Sequence, residues 1–154
     1  DDAIRTVRER GILMQEAVPA GVGGMSAVLG MTADEINAVV DEIPNVQVAN
    51  YNCPGQIVIS GLKEAVETAA VKLKEAGARR VIPLNVSGPF HSYLLEEAGE
   101  KLGRFLENIP VSEPVIPYVA NVTAAYVTKA EDVKPLLTRQ VSSSVRWQQA
   151  LSDR

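Results

Sequence analysis

One cysteine and one histidine, Cys53 and His91, make up the entire thiol and imidazole inventory of this 154-residue sequence. A disulfide needs a second cysteine and a structural zinc site needs several Cys or His ligands. Both are therefore excluded, and the pair fits a reducing cytoplasm. Basic residues are scattered, and 15 Lys and Arg against 19 Asp and Glu give a net charge of -4. Nothing forms the basic stripe that a phosphate backbone requires, so nucleic acid is not an expected partner. The longest uncharged run, from Ile43 to Leu62, contains Pro44, Pro54 and several Asn and Gln residues, so no membrane span is expected. Asp1-Asp2-Ala3-Ile4-Arg5 lacks the basic and then apolar regions of a secretory signal. It also lacks an initiator Met, and the chain is expected to be part of something longer. Internal repeats and low-complexity segments are absent.

What is present is ordinary for a folded domain: 46% hydrophobic and 22% charged residues. Ile4, Val7, Gly11 and Met14 recur at helical spacing and predict a helix over 2–17, with Arg10 flanking the stripe. A strand follows over 22–29, whose Gly23-Gly24 pair permits close backbone approach. Thr32-Ala33-Asp34-Glu35 is a capping box with Met31 and Ile36 placed as a hydrophobic staple, and Ile36, Val39, Val40 and Ile43 share one face of the helix it starts. Short β-branched runs over 46–50 and 56–60 flank Asn52-Cys53-Pro54-Gly55 and predict an antiparallel hairpin. Leu62, Val66, Ala69, Leu73 and Ala76 form the next helical stripe, closed by Gly77, and 79–84 reads as a strand. The order β-α-β-β-α-β is the split βαβ, ferredoxin-like pattern.

After Leu84 the pattern changes. Strand-like residues 82–87 run into Gly88-Pro89-Phe90-His91, and Leu95, Ala98, Leu102, Phe105 and Ile109 then predict a long helix. A short strand is expected over 115–119, at an edge because Pro117 lies inside it. Thr128-Lys129-Ala130-Glu131 reads as another capping box whose helix Pro135 limits or restarts, and a final helix is expected over 144–151.

His91 is the strongest chemical candidate. It precedes a helix, where the dipole disfavours the imidazolium and leaves a neutral proton acceptor. A capping or surface histidine is the alternative reading, and sequence alone leaves both open. No serine sits in a Gly-x-Ser-x-Gly elbow, and Cys53, with no cation near it in sequence, reads as incidental. Arg10 has the planar fork suited to a carboxylate, against the alternative of a snorkelling surface arginine.

Four strings add a resemblance: Arg8-Glu9-Arg10-Gly11-Ile12-Leu13-Met14-Gln15-Glu16-Ala17-Val18-Pro19; residues 48–61, around Asn50-Tyr51-Asn52-Cys53-Pro54-Gly55-Gln56; Pro83-Leu84-Asn85-Val86-Ser87-Gly88-Pro89-Phe90-His91-Ser92; and Arg139-Gln140-Val141-Ser142-Ser143-Ser144-Val145-Arg146-Trp147. In this order they resemble the bacterial malonyl-CoA:acyl carrier protein transacylase family. The resemblance implies an α/β fold: an α/β-hydrolase-like acyltransferase core, over 1–19 and 85–154, with an inserted ferredoxin-like subdomain over 20–84. It implies a cytoplasmic, monomeric enzyme of fatty acid biosynthesis that moves malonyl from malonyl-CoA to the phosphopantetheine thiol of acyl carrier protein, without metal or cofactor, through a Ser-His acyl-enzyme mechanism. His91 matches the base and Arg10 the arginine that pairs with the malonyl carboxylate. Met14 and Phe90 resemble acyl-pocket residues, and Asn52 lies in a loop approaching that pocket. The serine lies outside the 154 residues, so this chain alone is expected to be inactive. Loss of core strands is expected to expose the face of Leu95, Ala98, Leu102 and Phe105 and to favour self-association. Two other readings stand beside this one: an acyltransferase domain of a polyketide synthase, and a non-catalytic ferredoxin-like binding module.

Overall fold

The computed structural model describes residues 1–86 and 88–152 and is mixed α/β. Ser87, at the expected end of a strand-like run and inside one motif, and Asp153-Arg154 lie outside the described residues. The chain opens with α1 (Asp2–Glu16) and then builds β1 (Gly23–Leu29), α2 (Ala33–Val40), β2 (Val46–Cys53), β3 (Gln56–Leu62), α3 (Lys63–Glu75) and β4 (Arg80–Pro83). These four strands form one sheet in the order β2-β3-β1-β4, antiparallel at every pairing.

Alternation along the strands separates the two faces of the sheet. Val28, Val48, Ile57, Ile59 and Val81 point to one side and pack with Ile36 and Val40 of α2 and Val66, Ala69 and Leu73 of α3. Met25, Ala27, Ala49 and Val58 point to the other, where Phe90 covers them. The capping box of α2 is formed as the sequence predicts: Thr32 Oγ1 accepts from Glu35 N–H at 3.3 Å, and the Glu35 carboxylate accepts from Thr32 N–H at 2.8 Å. Two glycines permit close approach. A methyl group on Gly61 would collide with the Asn45 carbonyl and, at 2.7 Å, with Val46 Cα. One on Gly23 would enter the Pro89 ring, so the start of β1 rests directly against the turn that carries His91.

The remaining elements are α4 (Glu96–Glu107), β5 (Tyr118–Ala120), β6 (Ala125–Val127), α5 (Ala130–Gln140) and α6 (Trp147–Ser152). Leu95, Ala98, Leu102 and Leu106 are buried with Val18 and Val141, and Leu13, Met14 and Phe105 pack against them. The α4 face that was expected to be exposed is therefore covered by α1 and α5. The most exposed large apolar side chains among the described residues are instead Ile4 and Val7 on α1, and Val115 and Ile116 before β5. Gly99 and Gly103 let α5 approach closely: added methyl groups would stand 3.0 Å from the Thr138 carbonyl oxygen and 3.2 Å from its hydroxyl.

Four further expectations are corrected. The strand expected over 115–119 is shifted to Tyr118–Ala120, because Pro114 and Pro117 supply no N–H for a ladder. No side chain caps α5 at its N-terminus; its N-cap is Lys129, whose ammonium lies 3.6 Å from the Glu131 carboxylate that a capping box would have used. Pro135 lies inside α5 without ending it, on an exposed side where water can satisfy the freed carbonyl. The last helix starts at Trp147, because 144–146 is drawn out along the edge of β2. There Val145 N–H donates to the Ala49 carbonyl at 2.7 Å and accepts, through its own carbonyl, from Tyr51 N–H at 2.9 Å.

Candidate active site

On the sheet face opposite α2 and α3 lies a cleft of about 510 Å³, within the usual range of small-molecule sites. Helix α1 contributes Arg10, Gly11 and Met14; spacing of three and four residues places them on one face. The sheet contributes Met25, Val58, Asn50 and Asn52, and the segment after β4 contributes Leu84, Val86, Phe90 and His91. All five residues singled out from the sequence thus line one cleft: Arg10, Met14, Asn52, Phe90 and His91. Asn52 belongs to strand β2 rather than to a loop; the hairpin turn is Pro54-Gly55, with Gly55 at φ +76°.

His91 is partly buried, with φ +54°. Its Nδ1 lies 3.1 Å from the Gln140 carbonyl oxygen. A carbonyl only accepts, so in the neutral ring Nδ1 carries the proton and Nε2 is left as the acceptor. Burial is the main reason that its pKa falls below the ordinary value; the positive charge of Arg10 acts in the same direction, and the Gln140 bond opposes both. His91 does not stand at the helix N-terminus itself. A 3-10 turn, Tyr93–Leu95, separates His91 from α4, which begins only at Glu96.

Arg10 is half-buried, and burial pushes its pKa down. The ion pairs among the described residues join Arg5 with Asp2, Lys101 with Glu97 and Lys129 with Glu131, and none involves Arg10. A guanidinium facing a cleft without an acidic partner favours a ligand that brings its own carboxylate. The cleft therefore brings together a guanidinium, an imidazole whose pKa is lowered and apolar walls. Among the described residues no cluster of His, Cys, Asp and Glu is placed to hold a metal, and no helix is long and apolar enough to cross a membrane.

Sequence reasoning did not single out Asn50 or the Gln140 carbonyl. Asn50 lies two residues from Asn52 on the same strand, and that period was a usable signal. The Gln140 group is a main-chain oxygen, present at every position of every sequence. Its place beneath His91 is secured by two local bonds and one tertiary bond: the Gln140 side chain donates to the carbonyls of Ser143 at 2.9 Å and Ser144 at 3.3 Å, and Ser144 Oγ donates to Val48 O, remote in sequence, at 2.6 Å.

Comparison with known proteins gives a consistent picture. Residues 1–154 match the family described as acyl transferase domain. The chain is similar to malonyl CoA-acyl carrier protein transacylase of Bacillus subtilis, 47% identical over 98% of this chain and 49% of that protein. It is also similar to the enzyme of the same name from Haemophilus influenzae, 46% identical over 95% and 48%. The chain thus spans about half the length of the curated relatives it matches. Among solved structures, an acyl carrier protein S-malonyltransferase from Vibrio cholerae superposes with a TM-score of 0.96 at 41% identity, covering 99% of this chain and 51% of that one. A malonyl-transacylase in complex with its type II PKS acyl-carrier protein superposes with a TM-score of 0.91 at 44% identity, over 95% and 48%.

Proposed function

The chain belongs to the acyl transferase domain family, and from that premise we propose that it carries the base and the carboxylate-binding arginine of a malonyl-CoA:acyl carrier protein transacylase. In this reading a serine hydroxyl, supplied from outside these residues, attacks the malonyl thioester. His91 Nε2 takes the hydroxyl proton and returns one to the departing CoA thiolate. The phosphopantetheine thiol of acyl carrier protein then attacks the acyl-enzyme, and His91 acts again as base and acid. Arg10 grips the free malonyl carboxylate in a two-point pair. Acetyl-CoA brings no carboxylate and leaves that half-buried cation unpaired, which disfavours it. Met14 and Phe90 wall the acyl group, and Asn52 lines the cleft beside them. The reading uses no metal or cofactor and assigns the enzyme to cytoplasmic fatty acid synthesis, as a monomer.

The finer architecture belongs to the same proposal. Residues 20–84 form a ferredoxin-like subdomain, and 1–19 with 85–154 belong to an α/β-hydrolase-like core. The strand order β2-β3-β1-β4 with both helices on one face supports this division. The observation that carries the functional reading is the meeting in one cleft of Arg10, which has no acidic partner among the described residues, and His91, whose pKa burial lowers. The test is malonyl transfer to holo-acyl carrier protein by a transacylase containing this chain. His91→Ala is expected to lower kcat about 100- to 10,000-fold, the usual contribution of a general base. Unchanged transfer would return the chain to the non-catalytic binding module.

A further inference from the structure

Gln47 lies on β2 opposite Ser60 of β3 and reaches from the sheet to the segment that carries His91. Its Oε1 accepts from Tyr93 N–H at 2.9 Å, and its Nε2 donates to the His91 carbonyl at 3.4 Å. One amide group thus ties the backbone on both sides of Ser92. A second tie runs parallel to it, since the Tyr93 hydroxyl donates to Asn45 Oδ1 at 2.8 Å. From below, the buried Ser92 hydroxyl donates to the Pro89 carbonyl at 2.6 Å. Within this frame His91 holds φ +54°, a left-handed conformation that a residue with a Cβ keeps only where its surroundings over-determine it. The far side of the ring meets Gln140, which is itself tied to β2 through Ser144. Strand β2 therefore holds His91 from both sides. Gln47 is suited to its half of the task because an amide offers a donor and an acceptor in fixed relation on an uncharged side chain.

We propose that Gln47 is a positioning residue for His91: by binding the His91 carbonyl and the Tyr93 N–H together it holds the left-handed backbone that brings Nδ1 to the Gln140 carbonyl and keeps Nε2 as the free ring nitrogen. The proposal rests on the reading of His91 as the base and adds to it a residue of the sheet that does not line the cleft.

His91 is the only histidine, so its ring nitrogens are identified without assignment work in a 15N-labelled chain. Above the ordinary imidazole pKa, the unsubstituted protein is expected to show one neutral tautomer, protonated at Nδ1. Gln47→Met keeps the side-chain length and removes both hydrogen bonds. It is expected to bring the two ring-nitrogen shifts toward a common average and to lose the slowly exchanging Nδ1 proton, with the far-ultraviolet circular dichroism unchanged. Gln47→Glu retains an acceptor for Tyr93 N–H and loses the donor to His91, so it serves if Gln47→Met does not fold. It is expected to average the ring shifts while the Tyr93 amide stays protected. Ring shifts like those of the unsubstituted protein in either folded variant would overturn the proposal. A proton on Nε2 in the unsubstituted protein would defeat the base reading itself, before Gln47 is touched, and the proposal with it.

Discussion

At His91, burial and the neighbouring Arg10 charge lower the imidazole pKa, and a main-chain carbonyl decides which nitrogen carries the proton. This has a consequence for stability. The unfolded histidine takes up a proton near 6.5, the ordinary value, whereas the folded one takes it up only at lower pH. As pH falls from about 6.5 through the folded pKa, the unfolded state gains a proton that the folded state resists, so stability falls across that window and is flat above it. Thermal melts of the unsubstituted chain and of His91→Gln should therefore differ in pH slope across that window and run parallel above it: the variant loses this part of the pH dependence, and an identical profile would show that His91 is not desolvated. The residues read from motif resemblance, Arg10, Met14, Asn52, Phe90 and His91, all line the cleft. The cause of the His91 shift was not legible in the same way. Sequence neighbours suggest a helix dipole, whereas the folded chain places the ring against the Gln140 carbonyl and in the field of Arg10, both remote in sequence.

Legibility at the scale of elements followed how local the determining force is. The β-α-β-β-α-β unit was readable because each element carries its own period and punctuation: the Thr32–Glu35 box, the Pro54-Gly55 turn, and Gly77 at φ +113° after α3. Residues 144–146 carry a helical pattern in sequence but are extended in the fold, because they lie along the edge of β2, a partner almost a hundred residues away in sequence. The same locality makes α2 testable in isolation. Thr32→Ala removes the acceptor for Glu35 N–H and should cost about 1 kcal/mol of stability, read as a lower urea midpoint with unchanged slope. No change would mean that the box contributes nothing beyond what water supplies.

Across the whole molecule, two packed regions meet at the cleft: the sheet with α2 and α3, and the α1–α4–α5 cluster. Pro89, Phe90 and His91 join them, because Pro89 abuts Gly23 at the start of β1 while Phe90 packs both on the α4 cluster and on the sheet face of Met25, Ala27, Ala49 and Val58. In the proposed reading the chain supplies the base and the carboxylate-binding arginine, and no Gly-x-Ser-x-Gly string occurs among its 154 residues. Intact-protein mass spectrometry of the 154-residue chain after incubation with malonyl-CoA should therefore show no covalent adduct. An adduct at that mass would place a nucleophile among these residues, with Cys53 the first to examine.

If Arg10 binds the malonyl carboxylate in the cleft, as proposed, the ratio of malonyl to acetyl transfer reports it without an intermediary. In a transacylase containing this chain, Arg10→Ala should lower kcat/KM for malonyl-CoA roughly 10- to 150-fold, the equivalent of about 1.5–3 kcal/mol for a charged hydrogen bond. Transfer from acetyl-CoA should stay level or rise. A parallel fall for both substrates, or malonyl transfer unaffected by the substitution, would contradict the assignment.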